Sequence, residues 1–157
     1  MLTNKSLGQT MINNIIEDEN YKNLAASQIK STIEFLLEKN EEFAITVNVK
    51  AAVFNPELPD AVYDKLAKFS LFVLSNYTYS TIKLDGNTIS FEAGFGSENF
   101  GSVVTIPLHS IFQIVVDESI LFVNSVATVE KFNDNATLVN RSLNAFKNNP
   151  NNKKFMK

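Results

Sequence analysis

Residues 89–117 read ISFEAGFGSENFGSVVTIPLHSIFQIVVD and carry the clearest local signals in the chain. Their first part alternates, so that Ile89, Phe91 and Phe95 fall on one face of an extended strand. Residues 96–101 are rich in Gly, Ser and Asn, which favour tight turns. The pattern predicts a strand that ends in a hairpin turn.

A second strand is predicted directly after that turn, at residues 103–106. Pro107 should end the strand, because proline has no N–H to donate, and it suits the start of a helical turn. Residues 108–111 fit one such turn, and residues 112–116 return to strand composition.

Other strands are predicted on both sides of this stretch, at residues 43–49, 69–74, 79–84 and 120–126. The run at 69–74 is nearly all apolar, so we expect it to be buried on both faces or to face a ligand. Asp85-Gly86-Asn87 is a strong hairpin signal, since Gly allows a positive φ without steric cost. Residues 55–59 should form a loop and residues 61–67 a helical turn.

The N-terminal part is predicted to be helical over residues 9–40, with two apolar stripes that fall out of phase near Asp18. Either two helices or one helix broken between residues 18 and 22 fits this pattern. One stripe contains Met11, Ile12, Ile15 and Ile16, and the other contains Leu24, Ile29, Ile33, Leu36 and Leu37.

The fold class is therefore α+β and mainly β. An N-terminal helix or pair of helices precedes a small, strongly curved β barrel or sandwich, and a flexible C-terminal tail follows. The predicted division is 1–42 for the helical segment, 43–126 for the β domain and 127–157 for the Asn- and Lys-rich tail.

Composition favours some classes of function and disfavours others. The 157-residue chain has a net charge of −3 and no long basic block, which makes nucleic-acid binding a poor default. It has no cysteine and no apolar run near the ~18 residues that span a bilayer. We expect a cytoplasmic protein with no membrane partner, no nucleic-acid partner and no cofactor.

The chemically suggestive residues have simpler structural explanations. His109 is the only histidine and has no evident nucleophile or orienting carboxylate, so a structural role is favoured over catalysis. The acidic cluster at residues 17–19 has no His or Cys to complete a metal site. The stretch at 94–101, GFGSENFG, lacks the Lys of a phosphate loop and is interpreted as a turn. No catalytic or metal-binding residue is predicted.

The aromatic content is more informative, because the chain has 13 phenylalanines and no tryptophan. A small barrel has limited interior volume, so some apolar strand residues are expected to line a groove for an extended peptide. The candidate peptide-binding residues are Phe72, Leu74, Phe91, Ala93, Phe95, Val104 and Ile106.

The run FEAGFGSENFGSVVTIPLHSI at residues 91–111 resembles the SspB adaptors of the bacterial ClpXP protease. The shared pattern is an aromatic strand ending in Phe-Gly, a turn, a β run ending in a hydrophobic residue and Pro, and a short apolar helical turn. The resemblance extends over residues 43–124, and Lys50-Ala51-Ala52 after the first strand matches one branch of the family. The segment after the helical turn, FQIVVDES, departs from another branch.

The resemblance implies a barrel related to the Sm type, with its degradation-tag groove at the candidate positions. It also implies a homodimer formed through the N-terminal helices. A further similarity lies in the tail, where the family carries a ClpX-docking motif of the form Ser-Leu-Asp-Ala-Phe-Arg. In the family, β-branched residues precede this motif. The corresponding residues here are Ser142, Leu143, Asn144, Ala145, Phe146 and Lys147, with Val139 before them.

We therefore expect an adaptor without enzymatic activity that binds ssrA-tagged polypeptides and tethers them to the ClpX unfoldase. The alternative is a general peptide-binding or chaperone-like module without a protease link. An RNA-binding barrel and an unrecognised enzyme are weaker alternatives. Residues 17–26, EDENYKNLAA, themselves look like an ssrA tag. An acidic helix explains them better, because a helix cannot present an extended main chain.

Overall fold

The computed structural model describes residues 15–129, which form one long helix and two four-stranded antiparallel sheets. Helix α1 spans Glu19–Glu38. Asp18 caps it, because its extended backbone lets the carboxylate accept the N–H groups of Asn20 at 2.8 Å and Tyr21 at 3.2 Å. The predicted break near residues 18–22 is thus confirmed at Asp18, which separates α1 from the helical residues 15–17.

The buried face of α1 is set by apolar residues spaced three or four apart, namely Ala25, Ala26, Ile29, Ile33 and Leu36. Leu24 was placed in this stripe by the sequence pattern, but half of its surface is exposed. The helix packs against the turn at Leu108–Ser110, which follows Pro107 as predicted.

The first sheet has the strand order β3-β1-β7-β8. Its strands are β1 at Phe43–Asn48, β3 at Phe69–Leu74, β7 at Ile111–Val116 and β8 at Ser119–Val123. Strands β3 and β8 are therefore its two edges.

The second sheet has the order β2-β6-β5-β4. Its strands are β2 at Val53–Asn55, β4 at Lys83–Asp85, β5 at Thr88–Phe95 and β6 at Phe100–Pro107. Gly86 has a φ of +59° in the β4–β5 turn, and Gly96 has a φ of +74° in the β5–β6 turn, so both predicted hairpins are confirmed.

Short helical segments connect these strands. They are α2 at Asp60–Tyr63, α3 at Asn76–Ser80 and single turns at Val49–Ala51, Leu108–Ser110 and Ser125–Thr128. Residues 55–59 form the predicted loop except that Asn55 still belongs to β2.

The prediction of a strand over residues 79–84 is wrong. Residues 76–80 form α3 instead, and only Lys83–Asp85 pair with β5. The alternating Tyr and Thr residues have high β propensity, but side-chain to backbone hydrogen bonds from Ser80 and Thr81 stabilise the helical turn. Within residues 15–129, the outer half of β5 therefore has no strand partner on the β4 side.

One hydrophobic core joins both sheets and α1. Its largest fully buried side chains include Phe91, Ile29, Ile33, Ile45, Leu74 and Ile114. The expected α+β class with mainly strands is confirmed. The strands form two sheets and do not close into one barrel. Residues 1–14 and 130–157, which include half of the first apolar stripe and nearly all of the predicted tail, lie outside the described residues.

Candidate functional site

The edge strand β3 presents an open edge beside the outer half of β5. Within residues 15–129, β3 pairs only with β1. The N–H of Val49 donates to the carbonyl of Lys68 at 2.8 Å, which continues the register of that pair. Because hydrogen-bonded pairs alternate along an antiparallel ladder, the backbone groups of Leu71 and Val73 point away from β1, toward the open edge.

The second open edge belongs to β5. Strand β4 begins at Lys83 and pairs only with residues 88–90 of β5. Beyond it, the N–H of Glu92 donates to the hydroxyl of Thr81 at 2.8 Å, on the side that β4 has left. By the same alternation, the backbone groups of Gly94 point to this side.

The two open edges line one depression of about 270 Å³. Leu71, Phe72 and Val73 form one wall, and Ala93 and Gly94 form part of the other. The ring of Phe72 lies 5.7 Å from that of Phe91 and 6.2 Å from that of Phe95, so aromatic side chains form the floor. An extended peptide laid in this groove would meet backbone hydrogen-bonding groups on both sides.

Two further depressions adjoin this groove. One of about 480 Å³ shares Thr78, Ala93 and Gly94 with it and extends to Tyr77 and Glu92. The other, of about 430 Å³, shares Leu66 and Phe95 and is lined further by Pro59, Val62 and Phe100. The groove is therefore continuous with two side pockets, one lined by both polar and apolar groups and one mostly apolar.

Gly94 lies directly beside the end of the flexible Asn99 side chain, which a larger residue at position 94 would displace. A Cβ atom there would collide with the side chain of Asn99 from the neighbouring strand turn. With no side chain of its own, Gly94 leaves the Asn99 amide lying over its backbone, and both residues line the pocket of about 480 Å³.

Electrostatic features near the groove are few. The phenol of Tyr77 donates to the Glu92 carboxylate at 3.1 Å. This hydrogen bond and the carboxylate charge raise the pKa of Tyr77 above its ordinary value of 10.0. Both groups are exposed, so they form a polar rim beside the groove.

The predicted peptide-binding residues lie in two environments. Phe72, Leu74, Phe91, Val104 and Ile106 are buried in the core. Of these, Phe72 and Phe91 form the groove floor. Ala93 and Phe95 are half-buried and line the groove directly. The structure thus brings Phe72, Phe91, Ala93 and Phe95 together, while Leu74, Val104 and Ile106 support them from within.

Sequence reasoning missed the residues on the β3 edge, above all Leu71 and Val73. The signal was present, since an unbroken apolar run at residues 69–74 implied either burial on both faces or a ligand-facing strand. In the structure, the alternate residues Ser70, Phe72 and Leu74 are buried, whereas Leu71 and Val73 are exposed.

The remaining candidates form no further site among the described residues. No three His, Cys, Asp or Glu side chains within residues 15–129 lie close enough to hold a metal ion. No helix in the same region is long and apolar enough to cross a membrane. The tag-like residues 19–26 are part of α1, with Ala25 and Ala26 buried, so they cannot serve as an extended ligand while the helix is intact.

The predicted unfoldase-docking residues, 139–147, lie outside the described residues, so their role stays a prediction.

Comparisons with known proteins leave the chain without an assigned family: no protein-family model matches it, and no curated protein matches it.

Proposed function

We propose that the chain is a peptide-binding adaptor that captures an extended polypeptide tag between β3 and β5. The observation that carries this proposal is the pair of open strand edges on one aromatic-floored groove. Open edges attract additional strands, and folded proteins usually cover or blunt them. A polypeptide tag is a natural occupant, because it supplies the missing strand and its backbone donors and acceptors.

The groove suits weak and reversible capture. Each added backbone hydrogen bond contributes about 0.5–1.5 kcal/mol net. Ordering a flexible peptide opposes this gain. A tag peptide can therefore bind through few contacts with the groove. Delivery then depends on keeping the tagged protein at a high local concentration near its partner.

The destination proposed is the ClpX unfoldase, with ssrA-tagged polypeptides as cargo, on the strength of the resemblance to SspB adaptors. Two antiparallel sheets around one core, preceded by a helix, agree with that resemblance. The Sm-type relationship of the β domain is part of the same proposal. No enzymatic step is needed, since tethering alone raises the local concentration of substrate.

A homodimer formed through the N-terminal helices belongs to this proposal. Tyr21, Leu24 and Phe35 lie on the exposed side of α1, away from its buried face. They give the helix a second apolar surface that a partner helix could cover.

The test measures binding of a fluorescein-labelled ssrA-tag peptide by anisotropy and degradation of a tagged reporter by ClpXP. Ala93→Gln should fill the groove and bury an amide without a partner, so binding should weaken at least about tenfold, equivalent to ~1.4 kcal/mol. Ala93→Ser, which adds a single oxygen atom, is the matched control and should bind nearly as well as the parent.

The outcome separates the adaptor from its alternative. Tag binding with faster degradation supports the adaptor, whereas peptide binding without any effect on ClpXP supports a general peptide-binding module. Equal affinity of Ala93→Gln and the parent for the tag would place the binding site elsewhere on the molecule.

A further inference from the structure

The outer face of the first sheet carries exposed apolar side chains. The solvent-facing side of an antiparallel sheet ordinarily carries polar side chains instead. Leu71 and Val73 project from β3 with 58% and 61% of their surfaces exposed. Ile120 and Val123 project from β8, at the opposite edge, with 57% and 58% exposed. This face therefore has an exposed apolar side chain at every corner.

Strand register shows that these corners belong to one continuous surface, because directly paired residues project to the same side of a sheet. The rows run Leu71, Thr46, Gln113, Val123 and Val73, Ala44, Val115, Ile120. None of these residues is charged. A strand added beside β3 would therefore extend an uncharged surface.

The groove and this outer face meet along β3. Because the backbone groups of Leu71 and Val73 point to the open edge, a peptide residue directly opposite either of them would project to the outer face. The peptide residue opposite Phe72 would project the other way, onto the groove floor. Alternate peptide residues share a face in whichever direction the peptide runs.

We propose that the groove selects peptides with apolar side chains at two alternate positions, which pack beside Leu71 and Val73. This inference rests on the proposed peptide-binding function. The intervening side chain enters the depression of about 270 Å³, whose lining includes the rings of Phe72 and Phe95. The outer positions favour β-branched or aromatic residues, which pair well across strands.

A peptide fits this surface better than a second copy of the chain does. Four strands about 4.8 Å apart and six residues at about 3.3 Å each give a face of roughly 400 Å². A standard interface buries about 800 Å² on each partner. A peptide strand would also pair with the backbone groups at the β3 edge, which packing against the face alone would not do.

The test uses three fluorescein-labelled peptides with the common ends Gly-Ser and Ser-Gly. Their centres are Ala-Val-Ala-Val-Ala, Ala-Ser-Ala-Ser-Ala and Ala-Val-Val-Ala-Ala. The third has the same composition as the first but can place only one valine on the outer face. Anisotropy should show the alternating peptide binding the parent protein about five- to twenty-fold more tightly than the serine peptide, and more tightly than the third peptide.

Two double variants locate this preference. Leu71→Thr with Val73→Thr should lose the preference for alternating valines, so that the alternating peptide and the serine peptide bind it with similar affinities. Ile120→Thr with Val123→Thr changes the far edge of the same face and should keep the preference.

Equal binding of all three peptides by the parent, or loss of preference in both double variants, would overturn the inference. A change of sedimentation coefficient in both variants, with peptide preference unaltered, would instead assign the face to a second copy. If the parent binds neither these peptides nor the ssrA tag, the proposed function fails, and the inference fails with it.

Discussion

At the scale of single residues, Asn124 connects three parts of the fold through its buried side chain. Its amide group donates to the carbonyls of His109 and Ile111, both at 3.0 Å, and its side-chain oxygen accepts the N–H of Val126 at 3.1 Å. The turn at Leu108–Ser110 and the turn at Ser125–Thr128 are thereby held together.

We predict that Asn124→Ala lowers the free energy of unfolding by roughly 2–4 kcal/mol, because three backbone groups lose their partner in a buried place. Urea unfolding measures the change. Asn23→Ala, on the exposed side of α1, is the control and should stay within about 0.5 kcal/mol of the parent. A similarly small effect at position 124 would mean that water replaces the amide without loss.

His109 predicts a pH dependence of stability. Partial burial lowers its pKa below the ordinary 6.5, and the positive charge of Lys22 lowers it further, while Glu19 acts in the opposite direction. The unfolded chain therefore binds this proton at higher pH than the folded chain does. The contribution of neutral His109 to the free energy of unfolding should be fully present above pH 6.5. It should be lost as the pH falls through the folded-state pKa of His109.

The measurement is urea unfolding at a series of pH values between 5 and 7.5, and His109→Gln is the comparison. The variant should show a flatter dependence in the upper part of this range, because glutamine does not titrate. An unchanged slope in the variant would assign the dependence to carboxylates.

At the scale of elements, the proposed pairing of the peptide with the open edge of β3 can be tested through a single backbone N–H group. Val73→Pro removes the one backbone N–H at that position, which points away from β1, so the β1–β3 pairing should survive. Circular dichroism should show a folded protein with at most about 1–2 kcal/mol lost, while affinity for the ssrA-tag peptide should fall at least tenfold.

Val73→Thr keeps the N–H and a β-branched shape, so it is the matched control for the proline variant. It should retain main-chain binding and lose no more than about five-fold in affinity. If the proline variant binds the tag as well as the threonine variant does, the peptide does not pair with β3.

The elements that could be predicted from sequence are those whose signals are local. The alternation of β5, the Gly86 turn and the proline that ends β6 depend on neighbouring residues, and all three were predicted correctly. The strand over residues 79–84 was predicted wrongly, because short-range hydrogen bonds outweighed β propensity.

The candidate groove could be predicted only in part, for a similar reason. Alternation identified Phe91, Ala93 and Phe95 as residues of one strand face. Which edge of β3 stays open depends on the strand order of the whole sheet, and no local pattern contains that information. Leu71 and Val73 therefore became visible as groove residues only in the folded chain.

At the scale of the whole molecule, the proposal separates capture from delivery. Capture uses the groove between β3 and β5, within the described residues. Delivery is proposed for residues 139–147, which lie outside them, and for the pairing of two chains. A small apolar motif such as Leu143 with Phe146 offers about 1.5–3 kcal/mol per fully buried side chain, and ordering the segment opposes this gain. One tail alone should therefore dock weakly.

We predict that the double change Leu143→Ala and Phe146→Ala leaves tag affinity intact and abolishes the acceleration of tagged-reporter degradation by ClpXP. Two tails per dimer raise the effective concentration of the second tail once the first is bound, so removal of both patches should eliminate docking.

Anisotropy with the ssrA tag and a reporter degradation assay are run on the same preparations. Phe155→Ala with Met156→Ala changes a different pair of apolar residues in the predicted tail. This variant should deliver substrate as the parent does. Delivery lost in that control and retained in the first variant would move the docking motif to the extreme C-terminus.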